Sequence, residues 1–227
     1  IVFVGSGALA FEELLVPERL FRLNHSADPR SRWTYQQIAQ AARPPAIPSP
    51  RLYLSRRRFS RKNFERVVAN EVEIELEFQN RGYRVLYPET MTFEDQVGLY
   101  SRADQVAGIS GSGLHNSLFM KPEAKVVELG DPRYDGAPAP SQALCNKVSG
   151  VRTAFIPFVG KRFGRRRTML FEIDFLRRSL DAIGDVAKTT ELIHSGPRGP
   201  WRRAMDFLEV AYLTVRPSAG SIARSLL

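Results

Sequence analysis

The stretch from Gln105 to Leu129, QVAGISGSGLHNSLFMKPEAKVVEL, constrains this chain more than any other. Gln105–Ile109 is apolar enough for a buried strand, and Gly108, Gly111 and Gly113 then crowd a turn. Leu114–Met120 reads as a short helix closed by Lys121-Pro122, and Lys125–Leu129 resumes a strand. Glycine in such a turn permits positive φ and close approach of the backbone to a ligand. The turn also aims free N–H groups and a helix N-terminus at one place, an arrangement that suits phosphate and that also occurs as plain structure.

The chain before it repeats the same alternation. Trp33–Ala42 is predicted as a helix, and the proline-rich segment 44–50 (PPAIPSP) as a linker or extended crossover. Arg51–Ser55 is a short strand. For Asn63–Asn80 two periods compete: EVEIELEF (71–78) alternates like a half-exposed strand, whereas Phe64, Val67 and Val68 have helical spacing and Asn80-Arg81-Gly82 resembles a C-cap. Its length favours a helix, which puts Glu71 on the buried stripe, where a carboxylate needs a partner such as a neighbouring Arg. Tyr83–Tyr87 is the next strand, and Thr92 with Asp95 makes a capping box for a helix over 93–101. Strands alternating with helices predict an α/β fold, a parallel sheet with helices on both faces.

Downstream, a loop (DPRYDGAPAP) precedes a predicted helix over 141–149, a strand at 152–157, a basic loop at 161–167 and a helix over Ile173–Ile183. A stripe of Trp201, Ala204, Met205, Leu208, Ala211, Tyr212 and Val215 predicts a last helix, which packs on a core or, as the lesser reading, touches a membrane peripherally. The expected division is 1–50 as a remnant of an N-terminal domain or an interdomain segment, 51–184 as the α/β domain, and 185–227 as a helical tail. Ile1–Val4 reads as the tail of a strand, and Leu14–Pro17 as a short strand or turn.

Charge narrows the partners. The net charge is +9, and 27 of the 33 basic residues are Arg, whose planar guanidinium favours bidentate contact with phosphate or carboxylate. Arg56-Arg57-Arg58, Arg61, Lys62 and Arg66 follow the strand at 51–55, where an open α/β sheet binds ligands. An anion-binding cleft, a nucleic-acid or lipid-facing patch and a solvated loop all fit that cluster. Few aromatics interleave it, which disfavours nucleic acid. Cys145 stands alone, so no internal disulfide forms, and the three His lack zinc spacing. No Asp-x-Asp pair is present to hold a metal–diphosphate, so neither metal nor cofactor is expected. No apolar run reaches the length of a membrane span and no signal peptide is evident, which points to the cytoplasm, with peripheral contact at the inner membrane face as an extension.

Taken together, YLSR (53–56), RVVANE (66–71), GYRV (82–85), FEDQVGLYSRAD (93–104), GISGSGLHN (108–116), LF (118–119) and VVEL (126–129) resemble the catalytic domain of glycosyltransferase family 61, of the bacterial polysaccharide-biosynthesis type. Weaker similarity extends to LLVP (14–17) and EIDFLRRSL (172–180). The resemblance implies the Rossmann-like C-terminal half of a GT-B enzyme that is inverting and metal-independent, uses a nucleotide sugar (a UDP-sugar first) and delivers to a glycan or other hydroxyl acceptor. It implies that Arg56 and Arg66 frame the diphosphate, that the backbone of Ser110, Gly111, Ser112 and Gly113 cradles it, and that Asn116 fixes the turn or a ligand oxygen. Glu128 would contact the ribose or order the pocket, and Asn70, Glu71 and Gln96 are motif positions that bind or brace. The family often carries His where this chain has Ser110 and a small residue where it has His115. No catalytic base is assigned. The alternative is a non-catalytic basic α/β module that binds anionic polysaccharide, lipid or nucleic acid.

Overall fold

A computed structural model describes residues 19–22, 24–58, 67–134, 136–163, 168–185 and 212–214. A small antiparallel pair, β1 (Phe21–Arg22) and β2 (Ser26–Ala27), leads into α1 (Ser31–Ala41). The alternating core follows: β3 (Arg51–Leu54), α2 (Glu71–Gln79), β4 (Arg84–Leu86), α3 (Phe93–Tyr100), β5 (Gln105–Ile109), a 3-10 helix (Ser112–Phe119) and β6 (Lys125–Leu129). Then come α4 (Pro140–Ser149), β7 (Arg152–Ile156), the antiparallel pair β8 (Gly160–Phe163) and β9 (Thr168–Phe171), α5 (Ile173–Asp185) and β10 (Tyr212–Thr214). The main sheet has the order β10-β7-β6-β5-β3-β4, and all its pairs are parallel. The α/β architecture expected from the alternation is the one observed.

Residue alternation along each strand builds two cores, one per sheet face. Tyr53, Ala107, Ile109, Val127, Leu129, Ala154 and Ile156 face α2 and α5, where Ile74, Phe78, Phe175, Leu176 and Leu180 meet them. Leu52, Leu54, Val106 and Val126 face the other way, toward Val97 and Tyr100 of α3 and Leu114 and Phe119 of the 3-10 helix. Tyr35 and Ala39 of α1 pack on that second core. Thr92 caps α3 as predicted, the Asp95 N–H donating to Thr92 Oγ1 (3.1 Å), while the reciprocal bond to Asp95 Oδ2 comes from the Thr92 hydroxyl (2.7 Å) rather than from its backbone N–H. α4 ends at Gly150, whose left-handed backbone (φ 73°) lets its N–H reach Asn146 O.

Five expectations need correction. The helix predicted across 63–80 begins only at Glu71. Residues 67–69 are extended instead, with the Ala69 N–H donating to Met169 O and the Met169 N–H to Val67 O. Val67 and Val68 are thus strand-like neighbours of β9, so their helical spacing is coincidental. The helix after the glycine turn is a 3-10 helix that starts at Ser112. The glycines of that turn do not use positive φ: Gly111 is extended (φ 162°), and neither Gly108 nor Gly113 is left-handed. Gly108 is required for closeness instead, because a Cβ there would sit 3.2 Å from Leu54 Cβ and 3.5 Å from Leu114 Cδ2. The basic segment 161–167 contributes β8, so its described part is strand rather than loop. Tyr212–Thr214, placed in a helix by the apolar stripe, is an edge strand beside β7. The strand tail expected at Ile1–Val4, the strand or turn expected at Leu14–Pro17, and the rest of that last helix lie outside the described residues.

Candidate functional site

Strand order decides where a site can form. From β3 the chain moves outward to β4, then crosses back to β5 on the other side of β3 and continues through β6 and β7. The reversal between β3 and β5 is a topological switch point, and the crevice beyond the carboxyl ends of those two strands is the natural binding place in an open parallel sheet. Leu54 is opposite Gly108, so Ser55-Arg56 and Ser110-Gly111 leave the sheet side by side. Arg56 and the glycine turn, distant in sequence, share one edge.

On the β3 side, two buried carboxylates one helical turn apart on α2 hold the arginine loop. Glu71 Oε1 accepts from the Tyr53 hydroxyl (2.7 Å) and the Arg56 N–H (3.3 Å). Glu75 Oε1 accepts from the Ser55 hydroxyl (2.6 Å) and the Tyr87 hydroxyl (3.2 Å), and Arg57 Nε lies 3.1 Å away. The Ser55 hydroxyl in turn accepts from the Arg57 N–H (3.1 Å). Arg57 also donates to the Tyr87 hydroxyl (2.6 Å), and the Arg58 guanidinium lies 4.3 Å from the centroid of the same ring. Burial holds the Glu71 carboxyl above its ordinary range, against the pull of the Tyr53 hydroxyl and the Arg56 N–H. The partner of Glu71 expected from sequence was an Arg side chain. The hydrogen-bond donors among the described residues are the Tyr53 hydroxyl and the Arg56 N–H, and the Arg56 charge acts on the carboxylate as well.

On the β5 side, Ser110 is fully buried. Its hydroxyl donates to Glu128 Oε1 at 2.6 Å, and the Ala139 N–H at the start of α4 donates to the same oxygen at 3.0 Å. Glu128 Oε2 is buried with no hydrogen-bond partner, and burial pushes this carboxyl from 4.5 up to about 7. Gly111 and Gly113 are half-buried and Ser112 is exposed. The Gly113 carbonyl accepts from the buried Tyr100 hydroxyl (2.8 Å), which pins the turn to α3. Asn116 Nδ2 donates to Gln96 Oε1 (2.8 Å), and Gln96 Nε2 donates to Pro88 O (2.9 Å), so Asn116 and Gln96 brace each other. The His115 ring lies 3.1 Å from Ser141 Oγ, and burial lowers its pKa. Ser110 and His115 therefore serve different walls: one meets β6, the other α4.

Of the remaining sequence candidates, Asn70 Nδ2 donates to Phe171 O (2.9 Å) and Asn70 Oδ1 accepts from the Phe171 N–H (3.0 Å), which fastens the start of α2 to β9. Arg66 lies outside the described residues. Sequence reasoning missed Glu75, Tyr53 and Tyr87. The first had a signal, since Glu71 and Glu75 share a helix face with Ile74 and Phe78, but the strand-like alternation of 71–78 masked it. It also missed the buried polar set under the 3-10 helix, in which Gln142 Nε2 donates to Asn146 Oδ1 (2.7 Å) and the Ser117 hydroxyl to the same oxygen (2.9 Å).

The model of the family described as Glycosyltransferase 61 matches residues 3–127, more than half of the chain. The chain belongs to glycosyltransferase family 61. The match runs from before β1 into β6 and so takes in both strand ends of the switch point as well as the residues before 51. Membership gives a general activity, transfer of a sugar from a donor to an acceptor. No curated protein matches the chain. Among the described residues no group of His, Cys, Asp and Glu could hold a metal ion, and no helix is long and apolar enough to cross a membrane.

Proposed function

We propose that this family 61 chain takes its sugar from a nucleotide-sugar donor, a UDP-sugar first, and passes it with inversion and without a metal to a hydroxyl of a glycan, in polysaccharide biosynthesis. The observation that carries this reading is the β3/β5 register, which sets the arginine loop and the glycine turn on one sheet edge at the switch point. Donor diphosphate lies against Arg56 and the N–H groups of Gly111, Ser112 and Gly113, with Arg66 as a second cation; the N–H of buried Ser110 is taken by Leu129 O (2.8 Å), so Ser110 supports the turn instead. The acceptor oxygen attacks the anomeric carbon from the face opposite the diphosphate, and a new C–O bond forms as the bond to the diphosphate oxygen breaks. Fixed cations and N–H groups take up the charge that develops on the leaving group. The acceptor proton passes to a base that this chain leaves unassigned. In this reading the α/β domain is the donor half of a GT-B enzyme, acting in the cytoplasm with peripheral contact at the inner membrane face.

Calorimetric titration with UDP tests the reading. Saturable one-site binding is expected, with Arg56→Ala weakening it at least tenfold, an order of magnitude for a lost charge-assisted contact. Gly113→Val is a second probe. An added Cβ at Gly113 meets only Leu54 Cδ1, at 3.8 Å, so the fold accepts the first carbon while the side chain crowds the mouth. Absence of UDP binding to the unaltered chain overturns the proposal. So does binding that ignores Gly113→Val and fades only with salt, which would favour a basic surface module instead.

A further inference from the structure

Beneath the arginine loop is a feature that the transfer reaction does not itself require. Glu71 and Glu75, 3% and 5% exposed, stand one turn apart on α2 and collect donors from two strand ends and a loop: Tyr53 and Ser55 from the end of β3, Tyr87 from the end of β4, and the main chain of the loop after β3. Their most telling contacts are with backbone. Glu71 takes the Arg56 N–H directly, and Glu75 takes the Arg57 N–H through the Ser55 hydroxyl. Two consecutive peptide groups of the loop are thereby fixed by two consecutive turns of one helix. Asn70, bound on both edges to Phe171, prevents that helix start from shifting.

Burying two carboxylates this close together is costly, and the charge of Glu75 adds to the burial that raises the affinity of Glu71 for a proton. A fold needing only to fill this volume would place apolar side chains here, as α2 does at Ile74 and Phe78. Glu71 also retains a buried oxygen, Oε2, with no hydrogen-bond partner, so the arrangement leaves part of the desolvation cost uncompensated. What the carboxylates obtain is direction, because a charge-assisted acceptor fixes a peptide N–H more firmly than a neutral one.

We propose that Glu71 and Glu75 are positioning residues for donor binding. They set the path of the Arg56-Arg57 backbone, and with it the aim of Arg56 at the diphosphate, without touching the donor. The inference rests on the nucleotide-sugar reading of the site. The groups facing Glu71 are Tyr53 on β3, Arg56 and Arg57 in the loop, and Glu75 on its own helix. The ionised form of Glu71 holds the loop, and protonation releases it.

The experiment measures UDP affinity of the whole chain, unaltered and as Glu71→Gln, across pH 5 to 8.5, with urea unfolding at each pH. Glutamine keeps an acceptor for Tyr53 and Arg56 but not the charge. Binding about tenfold weaker is expected for Glu71→Gln at pH 8.5, the loss of one charge-assisted hydrogen bond. The ratio of the two affinities should shrink toward one as pH falls, since a protonated Glu71 resembles glutamine. Tyr53→Phe, which leaves both carboxylates in place, should show a smaller loss and serves if the glutamine variant does not fold. Equal UDP affinity at every pH, or a ratio independent of pH, overturns the positioning role while leaving the donor reading intact. Failure of the unaltered chain to bind UDP refutes the donor reading itself, and the positioning proposal with it.

Discussion

Glu128 offers the sharpest quantitative test of the structure. It is fully buried on β6, its Oε1 serves Ser110 and Ala139, and its Oε2 finds no partner. Burial lifts its pKa from 4.5 to about 7. Below the lower value both the folded and the unfolded chain hold the proton, and the group imposes no penalty. Between the two values the folded chain holds a proton that the unfolded chain has released, so stability declines as pH rises. Above the upper value the full penalty is present. A rise of this size, at about 1.4 kcal/mol per pH unit, amounts to roughly 3 kcal/mol.

Glu128→Gln removes the titration and little else. The amide oxygen can accept from the Ser110 hydroxyl and the Ala139 N–H as Oε1 does, and the amide nitrogen then stands where the neutral acid would carry its proton. In acid the two are near isosteres, each with a buried donor lacking an acceptor, and their stabilities should agree within about 1 kcal/mol. Urea unfolding of both proteins from pH 5 to 8.5, followed by circular dichroism, reads the difference directly, because other titrating groups cancel between them. The variant should gain about 2–3 kcal/mol on the unaltered chain across that range. A stability difference that stays constant with pH would mean that Glu128 is ionised throughout, and the account of its burial would be wrong. A variant that loses ground as pH rises would be worse for it, since that requires an unseen cation beside the carboxylate.

Two further outcomes follow from the contacts described. Asn70→Ala removes both hydrogen bonds to Phe171 and leaves a buried peptide pair unpartnered; it should lower stability in urea by about 2–3 kcal/mol, with Asn70→Asp intermediate because it keeps only the acceptor. His115 should titrate below 6.5 by NMR, since burial disfavours its charged form, and Ser141→Ala should leave that ordering unchanged because the hydroxyl is not what lowers it.

Much of the sheet could be read from the chain because its strands carry unmixed signals. Val106-Ala107 and Val126-Val127 are apolar on both faces, as strands covered on both sides must be, and the helix signal at Thr92–Asp95 lies in chemistry local to four residues. The start of α2 was harder. Val67 and Val68 have helical spacing, yet the flanking Val67 carbonyl and Ala69 N–H bond Met169, about a hundred residues away, and no local pattern reports such a partner. Tyr212–Thr214 erred for the same reason: its stripe fits a helix, while its pairing is set by the edge of β7. The glycine turn was located correctly but for the wrong cause. Gly108 is needed because Leu54 of β3 and Leu114 crowd it, a tertiary demand rather than a torsional one.

The site candidates divide along the same line. The motif positions Ser110, Asn116, Gln96 and Glu128, carried by the family resemblance, pair two by two in the structure, Ser110 with Glu128 and Asn116 with Gln96. The carboxylates under the arginines were only half visible, since EVEIELEF shows a row of acids without showing which are inward. On α2 the fourfold spacing of Glu71 and Glu75 selects one face with Ile74 and Phe78, and leaves Glu73 exposed on another. The mouth is therefore layered, with acids buried beneath β3 and β4 and cations above them. An isolated guanidinium cluster would spread by its own repulsion. Here Arg57 is held by Glu75 and Tyr87 and Arg58 lies on the Tyr87 ring, so the layer beneath fixes both guanidiniums at the β4 side of β3. Guanidiniums fixed in this way, more than the net charge of the chain, are what the proposed diphosphate site would need to differ from a basic surface.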